Sequence, residues 1–461
     1  MFDVVILNAD VADGESSSLR HGDIGIEGGR IAAIGDLAKA ETRRAVDASR
    51  MIVCPGFVDI HNHAYSDVAK GIFDCDNLVR QGITTLVGAN CGGSPWPIGE
   101  NLDLVDKHGM RQNYALIVGH NTIRREAMGD RYAGFAAHDD ITKMQQLVEQ
   151  AMDEGAFGIT GGYSPNQLTT EEIIEICKPA ARREGLYAAH IRGEGKAVMR
   201  AVAEMIEIAE DAEIPVEIAH FKMMGPKAWG KADICLAMID DARARGHDVT
   251  ADWYPYGGWH GGSNNIMPAW GYGEAKKRGG YDALKETDII ERLRAGVQEM
   301  CDKVGGPDRL LFTSLEAPDP EIDLKTPAQL AEEWNCELID VAIEISKRSR
   351  IGAIGLAMRE EDMVKIIKHP AVMVGTDAHL EVFSKFATHP RNYGTFPRVL
   401  AKYVREDRAL LWCEAIRKMT SMPARKIGLK DRGLIKQGYI ADIVTFSPET
   451  VQDKATFANA H

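Results

Sequence analysis

Short apolar runs, each broken by glycine or a polar turn, recur along the chain in two different rhythms. Over residues 1–54 they are closely spaced: 4–7 (Val-Val-Ile-Leu), 23–26, 30–35 and 51–53. Glu27-Gly28-Gly29-Arg30 separates two of them and reads as a hairpin turn, because paired glycines accept the backbone such turns need. The same rhythm returns at 433–438 and 441–446. The pattern predicts one small β-sandwich built from both chain ends, residues 1–54 and 401–461, with a last helix opening the second piece. A further strand or two is expected beyond Ala460-His461.

Between those ends the rhythm lengthens. Apolar runs at 57–61, 83–89, 114–118, 156–160, 186–189, 215–219, 248–252 and 371–376 alternate with helix-period stretches such as 140–154, 170–184 and 196–212. Thr169-Thr170-Glu171-Glu172 is a helix start, with a hydroxyl to cap and acids at the positive end of the dipole. Strands alternating with helices call for a parallel sheet, and eight such units over 55–400 predict an α/β fold of the (β/α)8 TIM-barrel type. The seventh unit is too long for one helix. Residues around 257–350 are expected to form an inserted lid over the barrel mouth.

Composition narrows the function. The chain has 461 residues and a formal net charge of −14, which argues against nucleic acid or an anionic membrane as partner. No apolar run reaches the roughly 18 residues a membrane helix needs. The N-terminus, MFDVVILNADVADGE, lacks the basic start of a signal peptide. Eight cysteines at 54, 75, 91, 177, 235, 301, 336 and 413 are scattered without a CxxC pair, which fits a reducing cytoplasm. All but Cys91 are expected to be buried apolar fillers.

Barrels of this kind carry their chemistry at the C-terminal ends of the strands. His61 and His63 follow the first run, Cys91 the second, His190 the fifth, His220 the sixth and Asp377 the eighth. Five strands thus deliver metal-capable residues to one end. Imidazole and thiolate ligands suit zinc, and three of them with an open position make a catalytic site. Asp377 beside such a site suits a general base. Among the other candidates, His120 is expected to be structural, and His260, His379 and His389 to be lid or supporting residues. Arg192 and Glu194 are expected to pair and orient His190.

These residues resemble the amidohydrolase superfamily pattern. Within it, the chain is similar to the D-aminoacylases, or N-acyl-D-amino-acid deacylases. The similarity rests on Asn90-Cys91-Gly92, on 187–195 (YAAHIRGEG), on 252–256 (DWYPY), on 389–400 (HPRNYGTFPRVL) and on 419–425 (MTSMPAR). It implies zinc held tightly by Cys91, His190 and His220, and a weaker second site of His61, His63, the shared Cys91 and Asp377. It implies hydrolysis of an N-acyl-D-amino acid, a small-molecule substrate, to a carboxylate and a free D-amino acid. It also implies that Lys222 and Tyr254 grip the substrate's α-carboxylate. Arg391, after the eighth strand, could hold a carboxylate in bidentate fashion. Lys222 and Arg391 read equally as rim charges, and Tyr254 as a core aromatic. The alternatives are a cyclic-amide hydrolase, another N-acyl amide hydrolase, or a non-catalytic relative. Hydantoinases and dihydroorotases bridge two metals with a carboxylated lysine after strand four, where this chain has Gly158-Ile159-Thr160-Gly161-Gly162-Tyr163. Residues 257–262 and 378–388 depart from the family pattern, which leaves the substrate's side chain and acyl group open.

Overall fold

The structure, a computed structural model, describes residues 1–73, 76–162, 168–262, 265–285, 287–315, 318–381 and 389–460. Cys75 and most of the 378–388 segment lie outside the described residues.

Eight parallel strands form the central layer. They are Phe57–Asp59, Ile83–Gly88, a third strand in two pieces (Asn113–Leu116 and Val118–Gly119), Gly158–Gly161, Leu186–Ala189, Val216–Ile218, Val249–Trp253 and Val372–Val374. Each pairs in parallel with the next; the first piece of the third strand joins the second strand, and the other piece joins the fourth. The eighth meets the first through a parallel bridge between Asn62 and Ala378. Backbone bonds of 2.7 Å, from Asp377 N to His61 O and from His63 N to Ala378 O, tie that seam. Most of these strand residues are buried, as parallel strands covered by helices must be. Helices such as His138–Asp153, Thr170–Ala181, Val198–Asp211 and Ala232–Ala244 supply the cover. The Thr169 hydroxyl accepts the backbone N–H of Glu172 at 3.1 Å, the cap read from sequence.

Both chain ends share a second, six-stranded sheet. Phe2–Val11 pairs antiparallel with Arg20–Glu27, and in parallel with Thr42–Asp47 and Ile52–Pro55. Ile443–Phe446 lies antiparallel to Ile52–Pro55. Gly28 and Gly29 turn the hairpin at φ of 58° and 73°. One expectation needs correction here, and one strand went unread in the sequence. Residues 433–438 form no strand; Ile435 instead plugs the core beside Ile6, Ile24, Ile31 and Val53, with its N–H bonded to Asp13 O at 3.0 Å. Thr42–Asp47 is a strand despite its polar sequence, because it lies mostly exposed along the sheet.

Between the seventh and eighth strands stands a three-stranded antiparallel sheet, Trp259–Gly261, Ile351–Gly355 and Leu310–Ser314 in spatial order. Helices Ala269–Arg278, Thr287–Asp302, Pro327–Glu333 and Leu338–Lys347 accompany it. Helical turns at Arg391–Arg398 and Val399–Glu406 run on across position 400. Among the described residues, no helix is long and apolar enough to cross a membrane. Cys54, Cys177, Cys235, Cys301 and Cys413 are buried, whereas Cys336 is half-buried at the end of the Pro327–Glu333 region, short of the filler role expected of it.

Candidate metal centre

The strand ends deliver His61, His63, Cys91, His190, His220 and Asp377 to one place. Three sets of donor atoms each lie within 4.8 Å of one another: His61, His63 and Cys91; Cys91, His190 and His220; His61, His220 and Asp377. The Cys91 sulfur is 3.5 Å from His220 Nε2 and 3.6 Å from His61 Nε2, so it stands between the sets. Asp377 Oδ1 is 3.0 Å from His63 Nε2 and 3.6 Å from His61 Nε2. Cys91, His220 and Asp377 have left-handed backbones, with φ of 57°, 38° and 54°. Such conformations cost about 1–3 kcal/mol each in a non-glycine residue and persist where the surroundings fix them.

Charge completes the donor set. Burial pushes the Cys91 thiol up, but His220, His190 and His61 outweigh it and hold the thiol well below its ordinary value. Burial likewise pushes the Asp377 carboxyl up; Arg391, with His63 and the other imidazoles, holds it well below the usual carboxylate range. A thiolate, three or more imidazoles and a carboxylate converging on one point are the ligands zinc takes. No lysine can enter at position 162, since a Cβ on Gly162 would sit 1.8 Å from the Cys91 carbonyl oxygen.

Supporting carboxylates were missed from the sequence. Asp252 Oδ2 lies 3.0 Å from His61 Nδ1, and Asp252 Oδ1 accepts the His220 backbone N–H at 2.9 Å. Asp59 accepts the Thr376 N–H at 2.8 Å and its hydroxyl at 2.6 Å, linking the first strand to the eighth. Alternation was the available signal, since Asp59 falls two residues before His61, and Asp252 two before Tyr254. Glu194 serves His220 more closely than His190: its Oε1 is 2.9 Å from His220 Nδ1, and its Oε2 is 3.7 Å from His190 Nε2. The expected pair with Arg192 does not form, because Arg192 turns outward to Glu204, Thr170 and the Leu168 carbonyl.

Lys222, Tyr254 and Arg391 line the same cavity. None is an open rim charge or a plain core ring. The Lys222 ammonium is buried against Glu194 and lies 2.8 Å from His220 Nδ1. Arg391 Nη1 donates to Asp377 Oδ2 at 2.6 Å, and its guanidinium is 5.1 Å from the Tyr254 ring. The Tyr254 hydroxyl is buried without a partner among the described residues. The other histidines belong to none of these donor sets, although the His379 ring stacks on His63 at 5.2 Å between centroids. His379 contacts Asp67 at 3.2 Å, and His389 Nε2 donates to Gly258 O at 2.9 Å. His260 Nε2 faces Thr313 Oγ1 at 3.3 Å, and burial, with Arg391, pushes its imidazole down to about 3. His120 is locked on Glu172 at 3.0 Å. The cavity over the donor sets measures about 1060 Å³ and is walled by Trp259, Leu310 and Leu315 of the inserted segment.

Comparison with known proteins agrees with this geometry. A family model described as Amidohydrolase family matches residues 350–459. The D-aminoacylase of Alcaligenes xylosoxydans xylosoxydans is 34% identical over 484 residues, covering 99% of this chain and 90% of that protein. Among solved structures, an N-acyl-D-glutamate deacylase from Bordetella bronchiseptica, complexed with zinc and a phosphonate mimic of the tetrahedral intermediate, superposes with a TM-score of 0.83. It is 30% identical and covers 100% of this chain and 93% of that one. A D-aminoacylase structure concerned with a binuclear metal center gives a TM-score of 0.81 at 33% identity, over 100% of this chain and 93% of that chain. Strand-end donor groups that share a cysteine, a strand four without lysine and this similarity along the whole chain place the protein in the D-aminoacylase family of amidohydrolases.

Proposed function

We propose that the protein is a zinc-dependent amidohydrolase that cleaves N-acyl-D-amino acids to a carboxylate and a free D-amino acid. The observation that carries the reading is the shared position of Cys91 between two donor sets, with Asp377 aimed at the same point. His61, His63, Cys91, His190, His220 and Asp377 would hold the metal, tightly at Cys91, His190 and His220 and more weakly at the other set. Zinc, when bound, supplies Lewis-acid polarisation of the scissile carbonyl and acidifies water.

The chain's own residues supply the rest. Asp377 begins ionised, with Oδ2 held by Arg391 and Oδ1 turned into the donor sets, 3.0 Å from His63 Nε2, where it can take a proton from the attacking water. It then returns that proton to the leaving amine nitrogen. Lys222 has three N–H donors and gives one direction to Glu194, so it can also meet the substrate's α-carboxylate. The unpartnered Tyr254 hydroxyl and Arg391 complete that grip, since a buried hydroxyl without a bond is costly until a substrate provides one. The enzyme works in the cytoplasm on a small soluble substrate; the scattered spacing of its eight cysteines, without a CxxC pair, supports this placement.

Amine release from N-acetyl-D- and N-acetyl-L-amino acids by zinc-loaded enzyme tests the proposal. Turnover is expected with D forms and not with their L counterparts. Turnover of cyclic ureides with none of the D series would overturn it.

A further inference from the structure

Glu217 stands in the middle of the sixth strand, Val216–Ile218, and is 1% exposed. It does not line the cavity over the metal centre. The interior of such a barrel is normally filled by branched apolar side chains, so an acid there needs a reason. A buried carboxylate is costly unless donors or a cation meet it. Neither oxygen of Glu217 has a hydrogen-bond donor among the described residues. Its carboxyl meets instead the carboxyl of Asp252, on the adjacent seventh strand and likewise 1% exposed. Lys426 pulls on Glu217 electrostatically, but its ammonium is held elsewhere, 3.0 Å from the Asp248 carboxylate and 3.1 Å from the Asp248 carbonyl oxygen.

Two ionised carboxylates in contact have no bond between them, and away from water like charges cannot both persist. One of the pair therefore carries a proton. Asp252 is engaged through both oxygens as an acceptor: Oδ2 faces His61 Nδ1 at 3.0 Å, and Oδ1 takes the His220 backbone N–H at 2.9 Å. Those roles call for its ionised form, which leaves the proton to Glu217. Burial and the Asp252 charge push the Glu217 carboxyl well above its ordinary value, in the same sense. A protonated carboxyl has one O–H to give, and Asp252 is the acceptor it meets.

We propose that Glu217 is a positioning residue of the metal centre, a neutral carboxylic acid whose O–H donates to Asp252 and so steadies the carboxylate that orients His61 and the His220 backbone. The bond fixes the Asp252 side chain, and with it the ring of His61 and the left-handed turn at His220. It does so without adding a second negative charge beneath the metal donors. The inference rests on the reading of His61 and His220 as zinc ligands, and not on which amide the enzyme cleaves. Groups that orient metal-binding histidines typically change metal affinity by about 10–100-fold when removed.

The test compares the full-length protein with Glu217→Gln and Glu217→Leu. Glutamine is uncharged and keeps an N–H donor of similar reach, whereas leucine keeps the bulk and has no donor. Infrared difference spectra at neutral pH, unmodified minus Glu217→Gln and both metal-free, should show the carbonyl stretch of a protonated carboxyl. Zinc affinity, measured by competition with a chelator, should fall by at least about tenfold in Glu217→Leu and stay close to the unmodified value in Glu217→Gln. Absence of the protonated-carboxyl band would overturn the proposal. So would full zinc affinity in folded Glu217→Leu. A loss in Glu217→Gln as large as in Glu217→Leu would also overturn it, because the charge and not the donor would then matter. If Glu217→Leu does not fold, the infrared band and the affinity of Glu217→Gln decide. Failure of the unmodified protein to bind zinc refutes the metal reading itself, and this role with it.

Discussion

Replacing Asp377 by Asn separates the proton-transfer role from metal binding. Asp377 and Arg391 are buried, at 6% and 5% exposure, and are joined at 2.6 Å. Asparagine keeps the shape and can still accept from Arg391, but it cannot take the proton of the attacking water. Loss of a positioned general base costs about 10²–10⁴ in rate. At 1.36 kcal/mol for each factor of ten, that is about 2.7–5.5 kcal/mol of transition-state stabilisation. The substitution also strips Arg391 of its anion, and a buried charge left without its partner costs up to about 3–5 kcal/mol of stability. Cys91, His190 and His220 form a donor set without Asp377, so the tightly held zinc should stay. The assay is steady-state amine release, run beside elemental analysis of the same gel-filtered protein and a denaturant titration. The expected variant is folded, less stable, zinc-bearing and slower by at least about a hundredfold. Turnover within tenfold of the unmodified enzyme would refute Asp377 as the base. Complete loss of zinc would refute the division into a tight set and a weak one.

Two other substitutions probe the centre and its surroundings. Cys91→Ala removes the donor common to two sets and should weaken zinc binding by more than the roughly 10–100-fold typical of supporting residues; one full zinc per chain after dialysis against a chelator would exclude Cys91 as a ligand. Glu172→Gln should destabilise the protein by about 3 kcal/mol at neutral pH, because it breaks a buried cluster with Arg124 and His120. Burial pushes the Glu172 carboxyl up, but His120 and Arg124 outweigh it and hold the group below its ordinary 4.5. The stabilisation is therefore complete above 4.5 and is lost as pH falls through the lower folded value. Thermal melts of the two proteins should converge in acid, and a gap that stays constant across pH would contradict the assignment.

What could be read from the sequence, and what could not, follows from how many residue types can do each job. Few side chains bind zinc, and a parallel barrel exposes one end of every strand, so the histidines at 61, 63, 190 and 220, with Cys91 and Asp377, declared themselves by position. Carboxylates are everywhere in a chain of net charge −14, and nothing in composition marks Asp252 as the partner of His61. Its role depends on two strands, distant in sequence, turning the same face inward. Lys222 shows the same limit from the other side. Its place two residues past His220 put it near the centre, but only the fold reveals that Glu194 already holds its ammonium. The misread at 433–438 has a different cause. An apolar run can close a core without joining a ladder, and Ile435 does so, while Thr42–Asp47 joins a ladder with hardly any apolar signal. Periodicity reports which face is buried; it does not report which backbone finds a partner. The donor groups gathered here are of types set by chemistry and were legible as candidates, whereas the groups that orient them are fixed by topology. Asp252 and Glu194 are therefore where a relative with the same ligands could diverge in metal affinity without any change in its recognisable motifs.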